Sequence, residues 1–206
     1  MLLAADDVLV GENVIARLVE QAKKQDVEWI VPKTALGRMN GPQEPEESIS
    51  KLLAAGDAAQ LFEALCFHCC LPASGGFYRR ETLLTAGGFD RRFRLVEDWP
   101  LFLRLMRGGI VPKESSEVVV LRNMSGVSQS RAAKNFAYQS DLIRVMKEMI
   151  EPEAWRLPDK ARKKLSRWIQ SKEAIFQLRF SCPSVIDKMK WVLTHIDIIV
   201  ERIVWR

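Results

Sequence analysis

The chain has 206 residues, 48% of them hydrophobic and 28% charged, with a formal net charge of +5. That composition suits a folded chain and excludes a disordered one, and no apolar run approaches the roughly 20 residues a membrane-spanning helix needs. The charge is uneven: residues 151–206 hold twelve Lys/Arg against seven Asp/Glu, whereas residues 1–150 hold nineteen of each. An anionic surface is therefore expected to face the C-terminal part. No basic cluster is interleaved with aromatics, so nucleic acid is not an expected partner.

In chain order, "MLLA" reads as the end of a buried strand, and the acidic "DD" after it argues against a signal peptide. Val14, Ile15, Leu18, Val19 and Ala22 lie at helical spacing behind Asn13, a candidate N-cap. "VEWIV" predicts a short strand ended by Pro32, followed by a Gly-, Pro- and Glu-rich surface loop over 33–47. Helices are predicted near Ile49–Ala55 and Ala58–Cys66. "SGGFYRR" predicts a strand or loop with permissive backbone at Gly75 and Gly76. "RETLLTAGGFD" predicts a short helix with Gly87 at its C-terminal cap.

Trp99, Leu101, Phe102, Leu103 and Leu105 predict a buried helix, with Pro100 tolerated in its first turn and Gly108-Gly109 ending it. "EVVVL", residues 117–121, predicts another strand. The sequence after Ser130 is helical and polar-faced. From Pro183 on, Val185, Met189, Val192, Ile196, Ile199 and Ile203 alternate steps of four and three. They predict one amphipathic helix over 183–206, buried on the domain, on a second copy or on a membrane surface.

Three of the four cysteines fall in "CFHCC", Cys66, Cys69 and Cys70 around His68. A zinc site needs a second ligand pair, which is missing, so these residues are expected to fill a buried segment. Reduced thiols point to a cytoplasmic setting. Two acidic pairs attract more attention. Asp6-Asp7 follows an apolar stretch, where ligands bind in open α/β sheets. Glu97-Asp98 opens the buried helix, and Asp98 there reads either as a helix cap or as a reactive carboxylate.

"AADDVLVGENVIARLVE" resembles the metal-binding segment of family 2 glycosyltransferases, and "SGGFYRRETLLTAGGFDRRFRLVEDWPLFLRLMRGG" resembles the acceptor-side segment of the same family. "LRNMSGVSQS" resembles the segment after that family's last core strand. The three cover about residues 1–130 in the family's order, and the 75–109 block is the most specific. The family's first metal-motif Asp falls on Ala4, and Met124 stands where many relatives carry histidine.

The resemblance implies an α/β fold: an incomplete nucleotide-diphospho-sugar transferase-like, Rossmann-like sheet flanked by helices. Residues 1–130 would be the C-terminal portion of the catalytic domain, lacking the N-terminal nucleotide-binding portion, and 131–206 a helical extension. It implies an inverting transfer from a nucleotide sugar to a hydroxyl of a glycan or lipid-linked acceptor. In the roles it implies, Asp98 is the general base, Glu97 its neighbour, Asp6 the ligand of a divalent cation (Mn²⁺ or Mg²⁺), and Asp7, Gly75, Gly76 and Trp99 substrate contacts. Residues 183–206 would allow peripheral attachment at the inner face of the membrane. The alternative is a non-catalytic relative that binds a partner or membrane surface.

Overall fold

The computed structural model describes residues 1–37, 43–45, 50–122, 135–182 and 184–196. They form a mixed α/β protein with one sheet and a C-terminal helical region. The chain falls into two compact units. One comprises Met1–Arg92 and Glu97–Arg131, the other Phe93–Val96 and Ala132–Arg206.

Among the described residues the first unit has five strands: β1 (Val8–Leu9), β2 (Trp29–Gly37), β3 (Gln43–Pro45), β4 (Phe77–Tyr78) and β5 (Lys113–Arg122). The order is β1-β5-β2-β3, with β4 also on β2. Among the described strands only β2 and β5 run parallel; β1 lies antiparallel to β5, and β3 and β4 lie antiparallel to β2. β4 takes the start of β2 (Trp29↔Tyr78) and β3 its end (Ala35↔Pro45).

Side chains alternate across β2 and so divide the core. Ile30 clusters with Val119, Val120 and with Val14 and Leu18 of α1 (Val14–Gln25). The next residue back, Trp29, stacks instead on Phe102 of α5 (Asp98–Arg107), ring centroids 5.1 Å apart, and on Tyr78 at 6.0 Å. The helices α2 (Ser50–Ala54), α3 (Ala58–Phe67) and α4 (Arg80–Thr85) fall between β3 and α5 in the chain, and α3 packs on α5. Asp57 caps α3, accepting from the N–H groups of Ala59 and Gln60 at 2.9 and 3.1 Å.

Several expectations are corrected. Met1–Ala4 is no buried strand: Met1 and Leu3 are exposed, Leu2 exchanges backbone bonds with Gly75 and Gly76, and the Ala4 carbonyl accepts from the Asp7 N–H in a turn. Asn13 occupies the cap position of α1, but its side chain makes no capping bond. Pro32 does not end its strand, and β2 runs on to Gly37 where a loop was expected. The missing proline N–H coincides with a register shift between Val31 and Lys33. There the buried Ser115 hydroxyl accepts from the Lys33 N–H at 2.8 Å and donates to the Glu117 carbonyl at 2.7 Å. Ser115→Ala should therefore cost about 1–3 kcal/mol, because two partly buried hydrogen bonds to the backbone are lost at once; urea unfolding measures it. Residues 38–42 and 46–49, and with them the rest of the expected loop, lie outside the described residues.

The second unit is helical. α6 (Phe136–Arg144) runs through a π-helical turn (Val145–Ile150) and a 3₁₀ turn (Glu151–Arg156) to α7 (Asp159–Phe180) and α8 (Val185–Thr194). Leu157, Ala161, Leu165, Ile169 and Ala174 are buried, as are Val145, Met146, Met149 and Ile150. Phe136, Phe176 and Phe180 form a ring cluster with centroids 5.1–5.6 Å apart. Asp141 is a buried carboxylate that accepts from the N–H groups of Arg94 (2.8 Å) and Leu95 (3.1 Å). It fixes the strap that leads covalently into Glu97-Asp98. Asp141→Ala is expected to destabilise by about 2–4 kcal/mol, since two charge-assisted bonds go at once; the fall in Tm checks this.

The expected single tail helix is interrupted. α8 stops at Thr194, and His195 leaves helical geometry (φ −128°, ψ 32°). At this end the Thr194 hydroxyl donates to the Lys190 or Trp191 carbonyl, and His195 Nδ1 lies 2.9 Å from the Trp191 carbonyl, side-chain contacts to acceptors the helix backbone also uses. Residues 197–206 lie outside the described residues, as does Met124.

Candidate active site around Asp98

α5 starts as the sequence implies. Its apolar residues Trp99, Leu101, Phe102, Leu103, Leu105 and Met106 are all buried, and a helix this apolar must enter the core at its first turn. Trp99 is 2% exposed and its indole N–H donates to the Leu65 carbonyl of α3 at 2.7 Å. The ring is an anchor between α3 and α5. A sugar cannot stack on it there, so the substrate-contact role the resemblance implies for Trp99 does not fit this placement.

The same docking draws Asp98 under shelter. Asp98 is half-buried while Glu97 beside it is exposed. Asp98 Oδ1 accepts from the Trp99 N–H at 2.8 Å, and Oδ2 lies 3.8 Å from Cys69 Sγ. The residue at the cap position is Glu97, and its side chain makes no capping bond. Burial holds the Asp98 pKa above the ordinary carboxylate value, and the Glu97 charge adds to that, against the pull of the Trp99 N–H. Burial also pushes the Cys69 thiol well up, with the Asp98 charge adding, so Cys69 stays neutral. It is within reach of both Asp98 and the Leu71 carbonyl.

Tyr78 completes the group. It is 8% exposed, and its buried hydroxyl can take a hydrogen bond from the Trp29 indole. Burial raises its pKa, and the Asp98 charge raises it further. The hydroxyl lies 2.6 Å from where a Cβ on Gly76 would sit. Gly75 has φ +87°, and a Cβ there would overlap Val120 Cγ2 and come within 3.0 Å of Pro32 Cβ. Both glycines are thus required by the protein's own packing. The resemblance assigned them to close approach of a sugar; the crowding neighbours here are Tyr78, Val120 and Pro32.

The Ser74–Gly76 segment also meets the stretch of chain that leads into the N-terminal acidic pair. Leu2 N–H donates to the Gly76 carbonyl at 2.9 Å, Gly75 N–H to the Leu2 carbonyl at 2.6 Å, and Ala4 N–H to Ser74 Oγ at 3.0 Å. Asp6 is exposed on the turn that follows, and Asp7 is half-buried. Val8 pairs with Leu121, so continuing the antiparallel register places Asp7 opposite Arg122, at the C-terminal end of β5. One short segment therefore touches Tyr78, the neighbour of Asp98, and the backbone that leads to Asp6.

"GGFD" is scaffold. Gly87 (φ +82°) and Gly88 (φ +59°) close α4, their N–H groups donating to Leu84 and Leu83, both at 2.9 Å. Arg104 of α5 donates to the Ala86 carbonyl at 2.8 Å and to that of Gly88. Asp90 pairs with Arg92 at 2.7 Å.

Among the described residues no three His, Cys, Asp or Glu side chains converge as a metal site. Asp6 has the right oxygen chemistry for a hard cation, and among the described residues it stands as an exposed carboxylate with Ala4 two residues before it. Cys66 is a fully buried filler, Cys70 is half-buried with a pKa raised to about 11 by burial, and His68 is exposed.

Sequence reasoning missed Cys69 and Tyr78 as neighbours of Asp98, and Asp141 as the anchor before it. The available signal was a tyrosine two residues past the Gly-Gly pair. The fold and site define a mixed α/β protein with a sheltered, proton-avid carboxylate beside a glycine-bearing turn. No protein-family model matches the chain, and no curated protein matches it.

Proposed function

We propose that the chain is a glycosyltransferase that moves a sugar from a nucleotide-sugar donor to a hydroxyl of a glycan or lipid-linked acceptor. The observation that carries this reading is Asp98, a carboxylate sheltered at the start of a buried helix, with its affinity for protons raised. An acceptor hydroxyl must lose its proton as it attacks the anomeric carbon, and a raised carboxylate pKa improves a general base. Glu97, exposed beside it, is free to meet the acceptor. The Tyr78 hydroxyl has spare capacity to orient the same hydroxyl. In this reading the parallel pair β2/β5, with α1 on one face and α5 on the other, is part of a nucleotide-diphospho-sugar transferase-like sheet. The donor then lies toward Asp6 and Asp7, at the C-terminal end of β5. A divalent cation held toward Asp6 would offset the charge that develops on the donor's diphosphate.

The alternative, a non-catalytic relative that binds a partner or membrane surface, draws on the exposed apolar side chains of α8. The two are separated by incubating the protein with a panel of nucleoside-diphosphate sugars, with and without Mn²⁺ or Mg²⁺. Transferase chemistry predicts release of nucleoside diphosphate from at least one donor above the protein-free rate. No release across the panel removes it.

A further inference from the structure

The helix α8 wears its apolar side chains outward. Val185, Ile186, Met189 and Leu193 are 73%, 65%, 61% and 70% exposed, while Trp191 and Val192 are half-buried. At about 100° per residue those four fall within one arc of about 100°. Lys190 lies about 40° beyond one edge of the arc and Lys188 about 60° beyond the other, and both are exposed. Asp187, the one acidic residue of α8, falls on the opposite side. There it is engaged in a capping box, accepting from the Ser184 hydroxyl at 2.6 Å.

An apolar stripe edged on both sides by lysines is the pattern of a helix lying in a lipid interface. Its apolar residues enter the acyl boundary while the lysine stems reach back to the headgroups. The rest of the unit matches that surface in charge. α7 carries seven Lys/Arg against two Asp/Glu, and Lys160, Lys163, Lys164 and Arg167 are exposed on it. Trp155, just before α7, is 67% exposed. A second copy is a poorer occupant, because four side chains fall far short of the about 20–30 residues a side of a stable interface. No described helix is long and apolar enough to cross a membrane.

We propose that α8 docks this protein on an anionic phospholipid surface, its apolar arc inserted and the basic face of α7 supplying the attraction. The proposal does not depend on sugar transfer. The test is flotation with phosphatidylcholine vesicles, with and without phosphatidylglycerol, for the full chain and two variants, Met189→Glu/Leu193→Glu and Lys163→Glu/Lys164→Glu/Arg167→Glu. All five positions are exposed, and unchanged melting curves confirm folding. The full chain should float with the anionic vesicles, lose binding with added salt, and not float with phosphatidylcholine alone. The apolar variant should bind at least about tenfold more weakly. The charge-reversed variant should lose a comparable factor, each basic residue near the surface counting. Failure of the full chain to float, equal flotation with both vesicles, or undiminished binding by the apolar variant would overturn the proposal. A dimer that Met189→Glu/Leu193→Glu splits, with no vesicle binding, would assign the face to a second copy instead.

Discussion

Asp98→Asn should lower sugar transfer by about 10²–10⁴-fold, the usual contribution of a positioned general base, while leaving the protein at least as stable near neutral pH. Asparagine keeps an oxygen for the Trp99 N–H and removes a charge that burial disfavours. The folded-state pKa of Asp98 is raised, so the native protein holds this proton more tightly than the unfolded chain. The resulting stability is complete below the ordinary carboxylate value of about 3.9 and is lost as pH rises through the raised value. The asparagine variant lacks that loss. Its Tm advantage should therefore grow from acid toward neutral pH, by about 2–4 °C for each kcal/mol relieved in a chain of this size. The wild-type rate should climb over the same interval as the base ionises. Lower stability with full activity would return Asp98 to a purely structural role at the helix start.

Gly75→Ala should be the most damaging single-methyl change in the first unit. Its φ of +87° is strained for any L side chain, and the new Cβ would strike Val120 and Pro32 in the β5/β2 pair. Left-handed strain and overpacking together should cost about 2–5 kcal/mol, which lowers Tm by roughly 5–15 °C. Gly76→Ala should behave differently. Its Cβ would meet the Tyr78 hydroxyl at 2.6 Å and the Ala73 carbonyl at 2.9 Å, displacing the phenol beside Asp98. Activity should suffer there more than the Gly75 stability effect would suggest. A Gly75→Ala variant that melts with the wild type would show that the turn yields more easily than its contacts indicate.

How much of this was legible in the sequence varies by element. The start of α5 and the Gly87 cap were readable because apolar spacing and glycine chemistry are local signals. β2 was not, because proline ordinarily ends a strand, and what sustains it is Ser115, 82 residues away from Lys33. The Gly75-Gly76 pair was readable as special backbone, but its cause, packing on Val120 and Pro32, is tertiary. The niche around Asp98 depends on Cys69, 29 residues back, and the strap before it on Asp141, 47 residues on from Arg94. Nothing in the local pattern of a cysteine-rich helix end or a polar helix face marks such partners. The outward face of α8 was legible as amphipathic, whereas its direction was not: periodicity fixes an arc and leaves open what covers it.

The most direct measurement is amide NMR of the ¹⁵N-labelled protein titrated with nucleoside-diphosphate sugars. A glycosyl-transfer site predicts that amides of Asp98, Trp99, Ser74–Tyr78 and Asp6-Asp7 move together along one binding curve for at least one donor. Donor binding that leaves all of these amides in place while others shift, or no binding up to millimolar donor, would contradict it.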